Sequence, residues 1–136
     1  MGTATVTALQ GSSKVPRLLP MEVVVPGLPY SEVKKLCSLL DLSIEELCRL
    51  LPISRRTLSR YRDKTLDPRI ADHLMMIERV FHRASEVLES SDNARIWLKS
   101  PNYAFRNQCP LDFLGTFTGA QELLDELGRL QHGIFV

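Results

Sequence analysis

Apolar side chains recur at alternating spacings of three and four residues over most of the chain from residue 31 onward, a spacing typical of helices that bury one face. The longest run follows Asp67 and Pro68, a pair typical of a helix start, and continues for about five turns. Its apolar positions are Ile70, Leu74, Ile77, Phe81, Ala84 and Leu88. The run fits either a spine within the chain's own core, which we favour, or a coiled-coil-like seam between subunits. We therefore predict an all-α fold.

The first 26 residues differ from the rest in composition. Residues 1–14 are rich in Gly, Ser, Thr and Ala and lack aromatic residues, so they offer little apolar surface to offset the entropy of ordering them. Four prolines between Pro16 and Pro29 disfavour a helix, and Glu22–Val25 is expected to be a short strand or an extended segment. We predict that residues 1–26 form a flexible N-terminal arm.

Two short amphipathic helices are predicted after the arm. Ser31 is the expected N-cap of the first helix. Ser43 and Glu46, three residues apart, have the spacing of a capping box at the start of the second. The apolar faces are Val33, Leu36, Cys37 and Leu40 in the first helix and Ile44, Leu47, Cys48 and Leu51 in the second. Cys37 and Cys48 are therefore expected to be small core residues rather than ligands.

Composition narrows the class of protein and its compartment. The chain has 136 residues, 44% of them hydrophobic, and a formal net charge of +1, so it can form one ordinary core or two small helical units but has no general excess of basic charge. Its three cysteines form no CxxC pair, which favours a reducing compartment. No secretion signal and no run of 18 apolar residues is present, so we expect a cytoplasmic protein without a membrane partner.

Residues 44–64 have the length and apolar spacing of a helix-turn-helix unit. Ser54 is expected to cap the second helix, which would run through Lys64 with Leu58 and Tyr61 facing inward. Arginines on such a helix pair with guanine edges or phosphates, and hydroxyls at its start bond phosphate oxygens. The candidate DNA-binding residues are Ser54, Arg55, Arg56, Thr57, Ser59, Arg60 and Arg62. The alternative is a solvated basic face on a helix that only packs.

Pro52 occupies the turn between these two helices, where glycine is usually favoured. Its ring fixes φ at about −65°, so a left-handed conformation is not expected there and the second helix is predicted to sit at a changed angle. The sequence thus leaves open whether the unit binds DNA or is retained as an assembly scaffold.

The composition changes to polar capping residues near Ser90–Asp92, and we predict a domain boundary there. We predict a helix-turn-helix domain with the long helix over residues 27–90 and a small helical domain over residues 91–136. Thr118 is expected to cap the last helix and Gly133 to end it. The candidate core of this second domain is Trp97, Leu111, Leu114, Leu127 and Leu130.

Catalytic motifs are lacking in the sequence. His73, His82 and His132 are scattered, without a spacing suited to a metal site, and no Gly-rich phosphate loop or nucleophile elbow occurs. We expect a protein that is not an enzyme and that has no cofactor, no metal and no catalytic residue.

Five segments in a fixed order resemble those of the Xre/MbcA/ParS-type antitoxins of type II toxin–antitoxin modules, especially those paired with RES-domain toxins. They are "GLP" from Gly27, "ISRRTLSRYR" from Ile53, "WLKSPN" from Trp97, "PLDFLGTFTGAQEL" from Pro110 and the terminal "LGRLQHGIFV". The resemblance implies an all-helical antitoxin with an Xre-like, dimer- or DNA-associated N-terminal domain and a C-terminal domain, of the DUF2384 type, that binds and obstructs the toxin. RES toxins consume NAD⁺, a cofactor that the antitoxin itself would not bind.

The loop before "PLD" departs from the family pattern at three positions. Asn107 stands where glycine is usual, Phe105 where leucine is common, and Cys109 where threonine is commoner. We therefore expect this loop to be remodelled.

The last three residues of the sequence are large and apolar, and leaving each in water forgoes roughly 1.5–3 kcal/mol. Either they fold back onto the last helix or a partner buries them, and we favour the partner. With the resemblance, the candidate toxin-binding residues are Trp97, Asn102, Arg129, His132, Gly133, Ile134, Phe135 and Val136.

The sequence therefore predicts an antitoxin that blocks a cognate RES-type toxin and represses its own operon by binding operator DNA, as a homodimer within a hetero-oligomeric complex. The alternative is a stand-alone helix-turn-helix transcriptional regulator whose C-terminal domain dimerises or senses a ligand.

Overall fold

The computed structural model describes residues 27–133, and these residues form no β-strand beyond an isolated bridge between Asn102 and Gln108. The predicted all-α fold is confirmed for them. The arm over residues 1–26, with its expected strand or extended segment at Glu22–Val25, lies outside the described residues, as do Ile134, Phe135 and Val136.

Six α-helices and two 3-10 helices make up the described part of the chain. The α-helices are α1 Ser31–Leu40, α2 Ile44–Leu50, α3 Arg55–Ser59, α4 Pro68–Leu88, α5 Ser91–Lys99 and α6 Phe117–His132. The 3-10 helices, Tyr103–Phe105 and Pro110–Gly115, lie between α5 and α6.

The helix starts confirm three predicted caps, those at Ser43, Ser54 and Asp67. Ser43 and Glu46 form both hydrogen bonds of the capping box at α2. The Asp67 carboxylate accepts from the Arg69 N–H at 2.8 Å, and Pro68 occupies the first turn of α4.

Two other predicted caps are wrong by one or two residues. Helix α1 already includes Ser31, because its N-cap is Tyr30 and it has no side-chain cap. Helix α6 is capped by Thr116 rather than Thr118: the Thr116 hydroxyl accepts from the Gly119 N–H at 2.9 Å. In both cases a polar residue lay within the first turn, and spacing alone did not show which backbone N–H groups lacked partners.

Helix α4 is the spine of a single core, as favoured from its register. All of its predicted inward residues are buried except Leu88, which is half-buried. His73 lies against Phe117 at the start of α6, with ring centroids 5.7 Å apart, and Arg83 hydrogen bonds to Gln131 near the end of α6. Helices α4 and α6 therefore run in the same direction, with their carboxyl ends at the same end of the bundle.

The buried apolar residues continue from α4 into the C-terminal helices without a break. Ala94 and Leu98 of α5 and Leu123 and Leu127 of α6 are buried against the same cluster as Phe81. Of the predicted second core, Leu114 and Leu127 are fully buried, whereas Trp97, Leu111 and Leu130 are half-buried at its edge. The boundary near Ser90–Asp92 coincides with the turn between α4 and α5 and stays a prediction.

The second helix of the helix-turn-helix unit is shorter than predicted. Helix α3 ends at Ser59, and the N–H groups of Arg60, Tyr61 and Arg62 instead bond carbonyls three residues back, at 3.1–3.2 Å. The predicted extension through Lys64 is therefore a series of tight turns. Leu58 is the one side chain of α3 that is buried, which gives a longer helix little apolar surface to bury.

The expectation that Pro52 avoids a positive φ is wrong. Its φ is 25°, and the following N–H, of Ile53, donates to the Cys48 carbonyl at 3.2 Å. This hydrogen bond closes a Schellman-type end of α2, in which the residue after the C-cap adopts a positive φ.

Candidate functional site

Helices α2 and α3 are held together by leucines. Leu47 of α2 and Leu58 of α3 have no solvent exposure, and Leu51 in the turn is buried with them. The Ser54 hydroxyl caps α3 by accepting from the Thr57 N–H at 3.0 Å. These contacts fix α3 on the surface with its opposite side facing solvent.

The solvent side of α3 and of the turns after it carries four exposed arginines. Arg55 is paired with Glu45 of α2, so part of its charge is neutralised within the chain. Among residues 27–133, no carboxylate forms an ion pair with Arg56, Arg60 or Arg62. This surface therefore has three arginines available for an anionic partner.

The hydroxyl groups predicted to contact DNA already have partners. Ser54 also donates to the Thr57 hydroxyl at 2.9 Å, and the Ser59 hydroxyl donates to the Arg56 carbonyl at 2.7 Å. Thr57 and Ser59 are half-buried. The four arginines are exposed, but Thr57 lines a different groove from Arg55, Ser59 and Arg62, so the seven candidate residues do not all share one groove, and their role in DNA binding stays a prediction.

A groove of about 590 Å³ with a mixed polar and apolar lining borders this surface. Lys34 and Tyr30 lie on its α1 side, and Arg55, Ser59 and Arg62 on its α3 side. Lys34 was not predicted as a site residue, because the sequence separates it from α3 by more than 20 positions. Its position in the polar part of the amphipathic α1 was the available signal.

Trp97 and Asn102, two of the candidate toxin-binding residues, line one groove of about 370 Å³ together with Leu88 and Ile96. The Trp97 ring packs edge-on against Phe105, with centroids 6.0 Å apart. The Asn102 side chain accepts from the Ala104 N–H at 2.8 Å, so its oxygen is used to shape the loop.

Two further apolar side chains near Trp97 are exposed. Ile96 is 64% exposed and Tyr103 is 91% exposed, whereas the Trp97 ring is half-buried. Ile96 was missed as a site residue because the amphipathic spacing of α5 shows which face is buried but does not show which apolar residues lie at its edge. Tyr103 was missed because it lies in the 3-10 helix after α5, too short for a helical spacing to show its buried face. We name Ile96, Trp97, Asn102 and Tyr103 the α5 patch.

The loop before Pro110 is closed on itself at the positions that differ from the family pattern. Asn107 has a φ of 65°, in the region that glycine favours, and its N–H donates to the Asn102 carbonyl at 2.9 Å. Phe105 is buried between Trp97 and Phe113. The Cys109 thiol donates to the Lys99 carbonyl at 3.3 Å. Asparagine thus serves where glycine is usual, because it tolerates a positive φ.

The remaining described candidates are at the end of α6. Arg129 is paired with Glu126 at 2.8 Å, His132 is exposed, and Gly133 ends the helix with a φ of 64°, as predicted. Among residues 27–133, no hydrogen bond joins these residues to the α5 patch. The described toxin-binding candidates therefore come from two parts of the chain, the α5 patch and the end of α6.

Within residues 27–133, three titratable groups have a shifted pKa. Burial is the main reason why the pKa of the Cys37 and Cys48 thiols is raised, and both thiols are free. The pKa of Glu46 is lowered because its carboxylate accepts the Ser43 N–H of the capping box. The predicted role of both cysteines as small packing residues fits this environment.

Within the described range, none of the helices has the length and apolar character needed to cross a lipid bilayer. The described residues comprise a helix-turn-helix unit with an arginine surface and a second helical unit with an apolar patch. The long helix α4 joins them, and this arrangement is that of a two-part helix-turn-helix protein.

Comparison with known proteins gives the family. Residues 20–76 match the family model of the antitoxin Xre-like helix-turn-helix domain, and residues 83–133 match that of the antitoxin Xre/MbcA/ParS C-terminal toxin-binding domain. The chain belongs to the Xre/MbcA/ParS-type antitoxin family, which confirms the resemblance. The first match ends and the second begins within α4.

Two relatives agree with this family. Antitoxin Xre of Yersinia enterocolitica is 31% identical over 93 residues, which cover 66% of this chain and 63% of the length of that protein. A chain in the crystal structure of the M. tuberculosis MbcT–MbcA toxin–antitoxin complex matches with a TM-score of 0.59 and 26% identity, over 79% of this chain and 96% of that one.

Proposed function

We propose that this chain is the antitoxin of a toxin–antitoxin module and blocks its cognate toxin through its C-terminal domain, residues 91–136. The α5 patch is the observation that carries the proposal. It exposes two large apolar side chains, Ile96 and Tyr103, and leaves Trp97 half-buried, in the region matched by the toxin-binding domain. Exposed aromatic and aliphatic residues of this kind are typical anchors of protein interfaces.

The segment after Gly133 supplies the second part of the proposed interface. Ile134, Phe135 and Val136 would be buried in the toxin, with Arg129 and His132 as polar contacts at the end of α6. The chain leaves α6 at an exposed glycine, Gly133. The toxin is proposed to be of the RES type, which consumes NAD⁺, and the antitoxin to be a homodimer in a hetero-oligomeric complex in the cytoplasm.

DNA binding is the second part of the proposed function. Arg56, Arg60 and Arg62 on α3 and the turns after it would contact operator DNA, with Arg55, Ser54, Thr57 and Ser59 at the edge of the interface. The three arginines that are not paired with a carboxylate support this role, because phosphate contacts require free cationic groups. Binding at its own operator would make the antitoxin a repressor of its operon.

Co-expression with the neighbouring gene tests the toxin-binding proposal. The antitoxin is expected to co-purify with that gene's product in a fixed ratio and to restore the growth that this product inhibits. Trp97→Ala combined with Tyr103→Ala is expected to weaken the complex at least tenfold, whereas Met75→Ala, on an exposed position of α4, leaves it unchanged. Equal affinity of all three proteins contradicts a role for the α5 patch.

Deletion of residues 133–136 tests the proposed tail separately. We expect weaker toxin binding with operator affinity within a few-fold of that of the full chain. Unchanged neutralisation contradicts the role of the tail.

A stand-alone regulator is the alternative function, and the three free arginines favour it equally. Such a protein would bind DNA but would neither co-purify with a neighbouring gene product nor restore growth. A chain that neutralises a toxin but does not shift its own promoter DNA in a gel would instead be a toxin-binding scaffold.

A further inference from the structure

A mostly apolar groove of about 560 Å³, with Arg69, Asp72 and His73 in its polar part, lies on the side of the molecule where the helix-turn-helix unit meets α4 and α6. Its walls include Ile53, Tyr61, Ile70 and the ring of Phe117, which is 60% exposed. A volume of this order is within the roughly 300–1,000 Å³ of pockets that hold ligands. The groove therefore has the size and chemistry to bind a few aliphatic side chains.

The described chain starts at the edge of this groove. The Leu66 N–H donates to the Leu28 carbonyl at 2.8 Å, and a Cβ at Gly27 would lie 2.6 Å from the Cβ of Thr65. Asp67, which lines the groove, follows Leu66 directly and is at most about 7.6 Å from Thr65 along the chain. The residues that precede Gly27 thus join the structure within two residues of the groove.

The sequence of that preceding segment fits an apolar groove. Met21–Val25 contains Met and three valines between Pro20 and Pro26, and the prolines disfavour a helix there. In an extended backbone Met21, Val23 and Val25 share one face, and Glu22 lies on the other. Six extended residues reach about 20 Å, which is enough to cross a groove of this size.

We propose that the groove between the helix-turn-helix unit, α4 and α6 binds the chain's own segment Met21–Pro26, with Val23 and Val25 against Tyr61 and Phe117. The family match to the helix-turn-helix domain begins at residue 20, so this segment belongs to the matched domain. The segment would thereby join the helix-turn-helix unit to the start of the C-terminal helix. The proposal depends neither on toxin binding nor on DNA binding.

Nuclear Overhauser effects in the full chain test this contact directly. With valine methyl groups labelled, we expect cross-peaks from Val23 and Val25 to the rings of Tyr61 and Phe117. A sample mixed from labelled and unlabelled chains shows whether the contact lies within one molecule. Cross-peaks that occur only between molecules, or no cross-peaks from these valines to the groove, overturn the proposal.

A double-mutant cycle gives an independent measurement. Val25→Ala and Phe117→Ala are each expected to raise the unfolding equilibrium constant. If the two side chains touch, the rise in the double variant is smaller than the product of the two single rises, by a factor of about three or more. Ile96→Ala, which removes an exposed apolar side chain outside the groove, replaces Phe117→Ala in the control cycle. Independent effects of Val25→Ala and Phe117→Ala overturn the proposal.

A charged substitution in the segment provides the third test. Val23→Asp with Val25→Asp is expected to lower the melting temperature and to remove the cross-peaks to the groove. Thr5→Asp with Thr7→Asp adds the same charge earlier in the chain and is expected to change neither. An equal melting temperature for both variants contradicts binding of Val23 and Val25 in the groove.

Discussion

The guanidinium of Arg95 on α5 donates a hydrogen bond of 2.8 Å to the backbone carbonyl of Leu39 near the end of α1, 56 positions earlier in the chain. Lys99, one turn further along α5, donates to the Asp41 carbonyl at 2.5 Å. Carbonyls in the last turn of a helix lack partners within the helix, so α5 supplies donors that α1 needs. Helix α5 thus supplies hydrogen-bond donors to backbone carbonyls at the carboxyl end of α1.

We predict that Arg95→Ala lowers the free energy of unfolding by about 1–2 kcal/mol, because it leaves the half-buried end of α1 without a donor. Urea denaturation followed by circular dichroism measures this loss. Arg79→Ala, an exposed change on α4, is the control and should stay within about 0.5 kcal/mol of the original chain. Equal losses in the two variants contradict a special role for the Arg95 contact.

Pro52→Gly is expected to stabilise the chain. Glycine adopts a positive φ readily and restores an N–H that can donate to the Arg49 carbonyl, the second hydrogen bond of a Schellman-type helix end. Relief of strain of about 1–3 kcal/mol is opposed by about 1 kcal/mol of added freedom in the unfolded chain. A higher melting temperature supports this account. A lower melting temperature contradicts it, because the entropy gained by the unfolded chain would then exceed the strain relieved in the folded chain.

Two glycines of α6 make a matched pair for testing close packing. A Cβ at Gly119 would overlap the Phe113 carbonyl oxygen, whereas a Cβ at Gly128 meets nothing within 4 Å. Gly119→Ala is therefore expected to destabilise the chain by about 2 kcal/mol or more, since the backbone must move. Gly128→Ala should stabilise it by about 0.5–1 kcal/mol through helix propensity. Chemical denaturation of both variants checks the opposite signs.

Glu46 should make stability depend on acid pH. The Ser43 N–H holds the pKa of this carboxyl below its ordinary value of 4.5, so the folded chain favours the ionised form. The resulting stabilisation is present above pH 4.5 and is lost as the pH falls through the lower folded value. We expect the stability difference between the original chain and Glu46→Gln to shrink between pH 6 and pH 3. A constant difference contradicts the shift.

The arginine surface predicts how DNA binding depends on salt. Arg56→Ala and Arg60→Ala are each expected to weaken operator binding and to reduce the slope of log affinity against log salt by about one. Arg55→Ala should have a smaller effect, because Glu45 already pairs with that guanidinium. Titration of operator DNA at several salt concentrations measures all three. Absence of binding by the original chain at low salt contradicts this part of the proposed function.

Local patterns in the sequence were sufficient to predict that the chain is helical, which residues of α4 face inward, and the caps at Ser43 and Asp67. Such features depend on residues within one or two turns of each other, and the spacing of their side chains shows directly which groups meet. The family resemblance also came from the sequence, through five short segments in order.

The tertiary structure decided what depends on distant contacts. Only the tertiary structure shows that α3 ends at Ser59 and that Pro52 has a positive φ. It also shows that Ile96 and Tyr103 are exposed. It also joined the two predicted domains through one core and through Arg95. These outcomes depend on which surfaces of remote segments are covered, and chain spacing does not encode that, because burial is settled only when the helices pack together.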